Sequence, residues 1–467
     1  MLLSMASCGM FDKQVPPSER PDGESEAPKA DPKLNGTKIS EYTIVYDAEA
    51  LDYNLRAAEY IRDTLKDRFG VELPIKDDGE EKAKHEIVVG ETSRDISKYL
   101  DEETSGFEFS MMTIEGDVAL EGDYFVIAAA AYFFLDTYLT DGDHDFTTEA
   151  GATVHQPITK EAKSYILLIG DGMGVYQTKL FDYLDDTSEY SDGESQFYGY
   201  MFPYQGFVRT SSYTGVTDSA AAGTALATGY KTYNKHVGVD KDGNDVKSLT
   251  ELAGELGKAT AVMSTENKTG ATPSTFSAHT NHRDNKDEIL ADQTLLTSTY
   301  GTVIDCGYDY YTARYMKTIE KHITDTLASV SADEDGFFLM YEEAYIDKHS
   351  ADNDIDNTFL ALIRFNQAIA RFMEYAFYNP ETVVIITADH ETGGLHEEDG
   401  KLVYSIDDHT AANVPVFAWG MGAESLANTT VENIEIAKLV ASLMGAKSFG
   451  DQSNGWYDAI YGEKSDD

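Results

Sequence analysis

The chain has 467 residues, and its 83 acidic against 36 basic side chains give a formal net charge of -47. That length exceeds one small domain and predicts two. A field of this sign repels nucleic acid and anionic membrane surfaces, so neither is expected as a specific partner. It also slows the approach of an anionic substrate unless bound cations invert the local sign, which makes metal ions the first expected partner.

Two cysteines, Cys8 and Cys306, do not make a disulfide framework. The opening M-L-L-S-M-A-S-C-G resembles the cut end of a bacterial lipoprotein signal in residues 1–8, with Cys8 carrying lipid and the protein facing outward, lipid-anchored or secreted. A start methionine followed by chance apolar residues accounts for the same letters. No other stretch reaches the roughly 18 apolar residues of a spanning helix. Residues 9–40 are rich in Pro, Gly, Ser, Lys and Glu and read as a flexible tether.

From Glu41 the pattern becomes regular. Y-T-I-V-Y reads as a strand, Leu51 to Phe69 as an amphipathic helix, and H-E-I-V-V-G as a second strand. Short strands around Phe107 to Ile114 and Val118 to Leu120 precede an apolar helix from about Asp123 to Tyr138. This predicts a small α/β unit over residues 41–140, similar to the hexosaminidase domain-two type of accessory domain. It carries no cluster of His, Cys or convergent carboxylates, so its expected role is structural or sugar-adjacent binding.

An acidic stretch, D-G-D-H-D-F-T-T-E-A-G, closes that unit, and from about residue 160 to the end strands alternate with helices. That alternation predicts an open, mostly parallel sheet with helices on both faces, whose ligands gather at the carboxyl ends of strands. Chemistry-bearing residues stand at those ends. Tyr165 to Ile169 runs into G-D-G-M-G and Asp171. Thr260 to Ser264 leads to T-G-A-T-P-S-T-F-S-A-H-T-N-H-R. Phe337 to Tyr341 precedes Glu342 and Asp347, and Thr382 to Thr387 ends in A-D-H-E-T-G-G with Asp389 beside His390. His409 stands just before a further strand. An imidazole and a carboxylate delivered together suit zinc better than magnesium or calcium. Singly each residue reads as a cap or a turn; their recurrence at successive ends of one sheet points to a site.

The stretch Val216 to Thr228, V-T-D-S-A-A-A-G-T-A-L-A-T, reads as a helix with Ser219 in its first turn. A helix start offers unpaired N–H groups and the positive end of the dipole to an anion, so Ser219 is the candidate nucleophile facing a phosphate. The ordinary alternative is an Asp/Ser cap on a core helix.

Residues 163–446 resemble the alkaline phosphatase family: V-T-D-S-A-A-A-G-T, G-D-G-M-G, A-T-P, I-D-K, T-A-D-H and H-T carry the likeness. The resemblance implies two zinc ions, one magnesium and hydrolysis of phosphate monoesters through a phosphoserine, releasing inorganic phosphate. It implies Asp171 bridging the second zinc and the magnesium, with Asp389, His390 and Ser219 completing that zinc. Thr272 and Glu342 join Asp171 at the magnesium, Asp347 and His409 hold the first zinc, and Arg283 clamps phosphoryl oxygens. Two positions depart from the pattern. Ala351 stands where a histidine ligand of the first zinc is expected, with His349 or Asp352 as substitutes, and Gly270 stands where an acidic or imidazole side chain is common near the magnesium. The segment Glu391 to Asp408 leaves no room for a large surface insertion. D-S-A-A-A in place of C-x-P-S-R argues against a sulfatase. A phosphodiesterase of the same superfamily, or a catalytically weak surface-anchored binding protein with an impaired first zinc site, are the competing readings.

Overall fold

The segment S-Y-I-L-L-I-G is apolar at almost every position, the signature of a strand covered on both faces. It forms the strand Ser164–Gly170, buried along its whole length. The structure, a computed structural model, describes residues 31–47, 52–99, 106–140, 142–146, 152–153, 161–184, 196–307, 316–451 and 455–461. Cys8 and the expected signal lie outside the described residues.

Ser164–Gly170 sits between Phe337–Glu343 and Thr382–Thr387, pairing in parallel with both. Beyond Phe337–Glu343 come Ala259–Ser264 and Val303–Cys306, also parallel. On the other side Val414–Trp419 runs antiparallel to Thr382–Thr387, followed by Tyr204–Arg209 and Thr430–Glu432. The result is an eight-stranded, mostly parallel sheet with helices on both faces, as the alternation of elements predicts. The central strand lies between two strands that are consecutive in the chain, Phe337–Glu343 and Thr382–Thr387, so the connection between them crosses over it and the loops at its carboxyl end diverge to either side, the place at which an open sheet forms a crevice.

The first unit follows its pattern closely. Thr43–Tyr46, Glu86–Val89, Ser110–Ile114 and Asp117–Glu121 are strands, and Tyr53–Phe69 and Ile127–Tyr138 are helices. Two edge strands, Ile75–Asp77 and Ala152–Thr153, complete a six-stranded sheet. Both are too short to show a period in sequence, and the second carries the unit past residue 140. Lys33–Leu34 and Thr37–Lys38 pair with each other, and Lys33–Leu34 also pairs with Asp143–His144. The tether therefore does not reach residue 40. Asn35 ties this corner by donating to the Phe146 carbonyl (2.8 Å) and accepting from the Phe146 amide (2.7 Å).

The two sheets share one hydrophobic core. Phe125 of the first unit is fully buried, its ring 5.0 Å from Tyr198 and 6.0 Å from Phe377. Tyr60 stacks on Tyr378 at 4.0 Å, and Arg56 pairs with Glu374 at 2.8 Å, so the helix Tyr53–Phe69 holds the end of the long helix Ile355–Tyr378. Among the described residues no helix is long and apolar enough to cross a membrane. Phe125→Ala is expected to cost about 3–5 kcal/mol. Urea unfolding followed by circular dichroism should show the loss in one transition, because the cavity opens in a core that both units use.

Candidate active site

The site begins with the glycine turn after the central strand. Gly172 has φ +74, and a Cβ there would lie 2.7 Å from the Asp347 Cα and 2.9 Å from the Thr392 Oγ1. Only glycine lets this turn touch the helix Tyr345–Ala351 that carries Asp347. Asp171 is aimed by its own amide, which donates to the Glu343 carbonyl at 3.1 Å. The Gly172 amide donates to Asp389 Oδ1, also at 3.1 Å, so two strand ends are fixed to each other.

His390 is the hub. Its Nε2 lies 3.2 Å from Asp389 Oδ2, 3.5 Å from Asp171 Oδ1 and 3.3 Å from the Ser219 hydroxyl. Thr392 donates to Asp347 Oδ1 at 2.5 Å, which leaves its oxygen to accept from His390 Nδ1 at 3.2 Å. That pair of bonds keeps the proton on Nδ1 and turns the Nε2 lone pair toward the carboxylates.

His409 arrives by a short ladder: Glu391–Thr392 runs antiparallel to His409–Thr410, with Thr392 opposite His409. Its ring stacks 3.5 Å from that of His390. Its Nδ1 donates to the Thr217 carbonyl at 2.8 Å, and its Nε2 faces Asp347 Oδ1 at 3.5 Å. Two donor groups result, Asp171–Asp389–His390 and Asp347–His390–His409, each with ligand atoms within 4.8 Å of one another.

The electrostatics are those of a cation cage. Burial, together with Asp389, Asp347, Glu342 and Glu266, raises the Asp171 carboxyl well above the carboxylate range. Burial and then Glu266 push Glu342 up to about 8. Burial opposes a charge on Asp347 too, but His409, His390 and Thr392 hold it below its usual value. Burial likewise opposes protonation of His409, yet Asp347 raises it to about 9. Asp171 Oδ1, Asp389 Oδ2, Glu342 Oε1 and Thr272 Oγ1 are buried with no hydrogen-bond partner within the chain. The Thr272 hydroxyl eases the charge on Glu342, though the two atoms do not form a well-aligned bond. Orphaned oxygens of this kind, in a protein interior, fit divalent cations.

Ser219 opens the helix Ser219–Thr228 as the sequence predicts, and Asp218 caps it by accepting from the Ala221 amide at 3.0 Å. The same carboxylate takes the Lys235 amide (3.0 and 3.1 Å) and faces Arg283 Nη1 at 3.4 Å. Arg283 is thus tethered to the residue next to the serine.

Of the expected ligands, Asp171, Ser219, Asp347, Asp389, His390 and His409 come together, with Thr272 and Glu342 on the Asp171 side. His349 does not join them. Its ring lies 5.9 Å from that of Tyr345, and the charges it feels are those of Arg364, Asp354, Glu343 and Asp352. Asp352 is exposed at the end of its helix. The roles of Thr392 and of the Thr217 carbonyl were not legible in sequence. The spacing H-E-T, with Thr392 two residues after His390, was the signal available for Thr392.

Residues 162–305 and 314–407 match the family model described as alkaline phosphatase. Alkaline phosphatase 3 of Bacillus subtilis is 31% identical over 339 residues, covering 62% of this chain and 68% of that protein. Alkaline phosphatase 4 of the same organism is 29% identical over 292 residues, covering 50% of this chain and 62% of that protein. The structure of alkaline phosphatase from the Antarctic bacterium TAB5 superposes with a TM-score of 0.55 at 26% identity, over 62% of this chain and all of that one. The fold and the site define a hydrolase of the alkaline phosphatase superfamily. The chain belongs to the alkaline phosphatase family.

Thr392→Val keeps shape but removes both hydrogen bonds. It is expected to weaken divalent-metal retention about 10- to 100-fold, read by competition with a chelator, with the far-ultraviolet spectrum unchanged.

Proposed function

We propose that the protein hydrolyses phosphate monoesters through a phosphoserine formed on Ser219. The observation that carries this is the Ser219 hydroxyl, buried and 3.3 Å from His390 Nε2, at a helix N-terminus that adjoins the orphaned carboxylates. The residues fit two zinc ions and one magnesium. Asp171, Asp389, His390 and Ser219 would hold one zinc, Asp347 and His409 the other, and Asp171, Thr272 and Glu342 the magnesium. A solved variant of the Antarctic enzyme has magnesium bound in its M3 site. Bound cations supply Lewis acidity and neutralise phosphoryl charge.

The chain's own groups do the rest. Ser219 Oγ attacks phosphorus as the bond to the leaving oxygen breaks, and water later cleaves the phosphoseryl bond, regenerating the hydroxyl and releasing inorganic phosphate. Arg283 matches two phosphoryl oxygens, and the free N–H groups of the first helical turn take further negative charge. Such a scheme calls for few contacts to the leaving group, so the reading extends to monoesters broadly. Outward placement and a lipid on Cys8 rest on the opening sequence alone, and the likeness of the first unit to the hexosaminidase domain-two type rests on its strands and two helices.

Ser219→Ala should lower turnover of an aryl phosphate by orders of magnitude while zinc binding stays largely intact, since Asp171, Asp389 and His390 remain. Activity retained by that variant would exclude the phosphoserine route. Residue 351 lies one helical turn after Asp347 in Tyr345–Ala351, so a side chain there shares its face. Ala351→His should therefore raise zinc stoichiometry and turnover together, and His349→Ala should change neither. A loss of zinc in His349→Ala would show that His349 rotates in to serve the first site.

A further inference from the structure

Gly270 precedes the short helix Ala271–Thr275 that carries Thr272, and its missing side chain leaves a space. That space is filled. A Cβ on Gly270 would lie 1.8 Å from Glu266 Oε1 and 2.1 Å from its Cδ. The carboxylate of Glu266 thus occupies the place of a side chain at residue 270, reaching it from four residues earlier in the chain.

Two contacts hold the residue there, and one of them leads on to Glu342. Its Oε2 pairs with Lys348 Nζ at 2.9 Å, and Lys348 follows Asp347 directly. Its amide donates to the Ser264 hydroxyl at 3.0 Å, and that hydroxyl in turn donates to Glu342 Oε2. Its side chain is only 17% exposed. The negative charge is felt by both Glu342 and Asp171. The site whose charges it feels holds Asp171 Oδ1, Thr272 Oγ1 and Glu342 Oε1, each buried with no hydrogen-bond partner.

We propose that Glu266, held by Lys348, is a positioning residue of the Asp171–Thr272–Glu342 cation site, its carboxylate fixing the outer, hydrated side of a bound magnesium ion. A hard cation of this kind keeps several waters, and a carboxylate set behind the direct ligands orients them. The pair also joins the two ends of the site, since Lys348 shares a helix with Asp347 while Glu266 follows the strand next to Glu342. Gly270 is then not a lost contact. It is the condition for admitting the longer side chain, because any Cβ there overlaps Glu266.

The proposal rests on the cation assignment made under Proposed function, and the test separates the two. Metal content by mass spectrometry and magnesium affinity by calorimetry are measured on the full chain, alongside zinc content. Glu266→Ala should weaken magnesium binding about 10- to 100-fold with zinc unchanged, and added magnesium should restore turnover. Gly270→Asp should weaken magnesium binding by displacing Glu266, whereas the double variant Glu266→Ala/Gly270→Asp should recover it, since the second carboxylate then has room. Magnesium affinity unchanged in Glu266→Ala would overturn the role of Glu266, leaving it a partner of Lys348 alone. Absence of magnesium binding in the unaltered chain would overturn the cation assignment itself.

Discussion

Asp171, Glu342 and Asp389 are buried side by side where the parallel strands end, and three of their oxygens have no partner in the protein. Charges removed from water and set against like charges are costly, and at Asp171 and Glu342 that cost appears as protons held above the usual carboxylate range. Such an arrangement does not persist for stability. It makes sense as a cavity for cations, and the overall charge of -47 makes the same demand at the scale of the molecule. Neighbouring elements are set accordingly: Thr392 and the Thr217 carbonyl orient the imidazoles, and glycine at 172 lets the central strand meet the Asp347 helix.

A second constraint is the economy of Asp218. One carboxylate caps the Ser219 helix, fixes the Lys235 loop and faces Arg283. The serine and the guanidinium are therefore registered to one another by the fold itself, which in the proposed reaction would spare the ordering entropy of bringing the two together. The serine itself is almost fully enclosed, so its hydroxyl is presented to the crevice and to His390 rather than to bulk water.

The donor group of Asp347 and His409 is held differently from that of Asp171, Asp389 and His390. Asp389 and His390 leave one rigid strand end together. Asp347 lies on a seven-residue helix, and His409 reaches it only through a two-residue ladder. His349 is engaged with Tyr345 and the Arg364 region instead, and Ala351 offers no donor. The short Asp347 helix runs into Ile355–Tyr378, the helix on which the first unit packs through Phe125, Tyr60 and Arg56. The N-terminal unit thus braces the framework behind the less complete half of the site.

The sequence by itself determined the open parallel sheet, the small unit before it, the helix beginning at Ser219 and the strand-end placement of Asp171, Asp389 and His390. Each of these is written in a local pattern: an apolar run, a glycine turn, a cap, a pair of adjacent donors. What depends on side chains meeting across the fold was not written there. Two-residue strands at Glu391–Thr392 and His409–Thr410 carry no period, yet they decide where His409 goes. Glycine at 270 read as a missing contact until the chain folded and Glu266 came to lie over it. Local spacing fixes which face of an element a residue occupies; only the packing of one element on another decides whether His349 turns away, whether Thr392 bridges two sites, and which carboxylate fills an empty space.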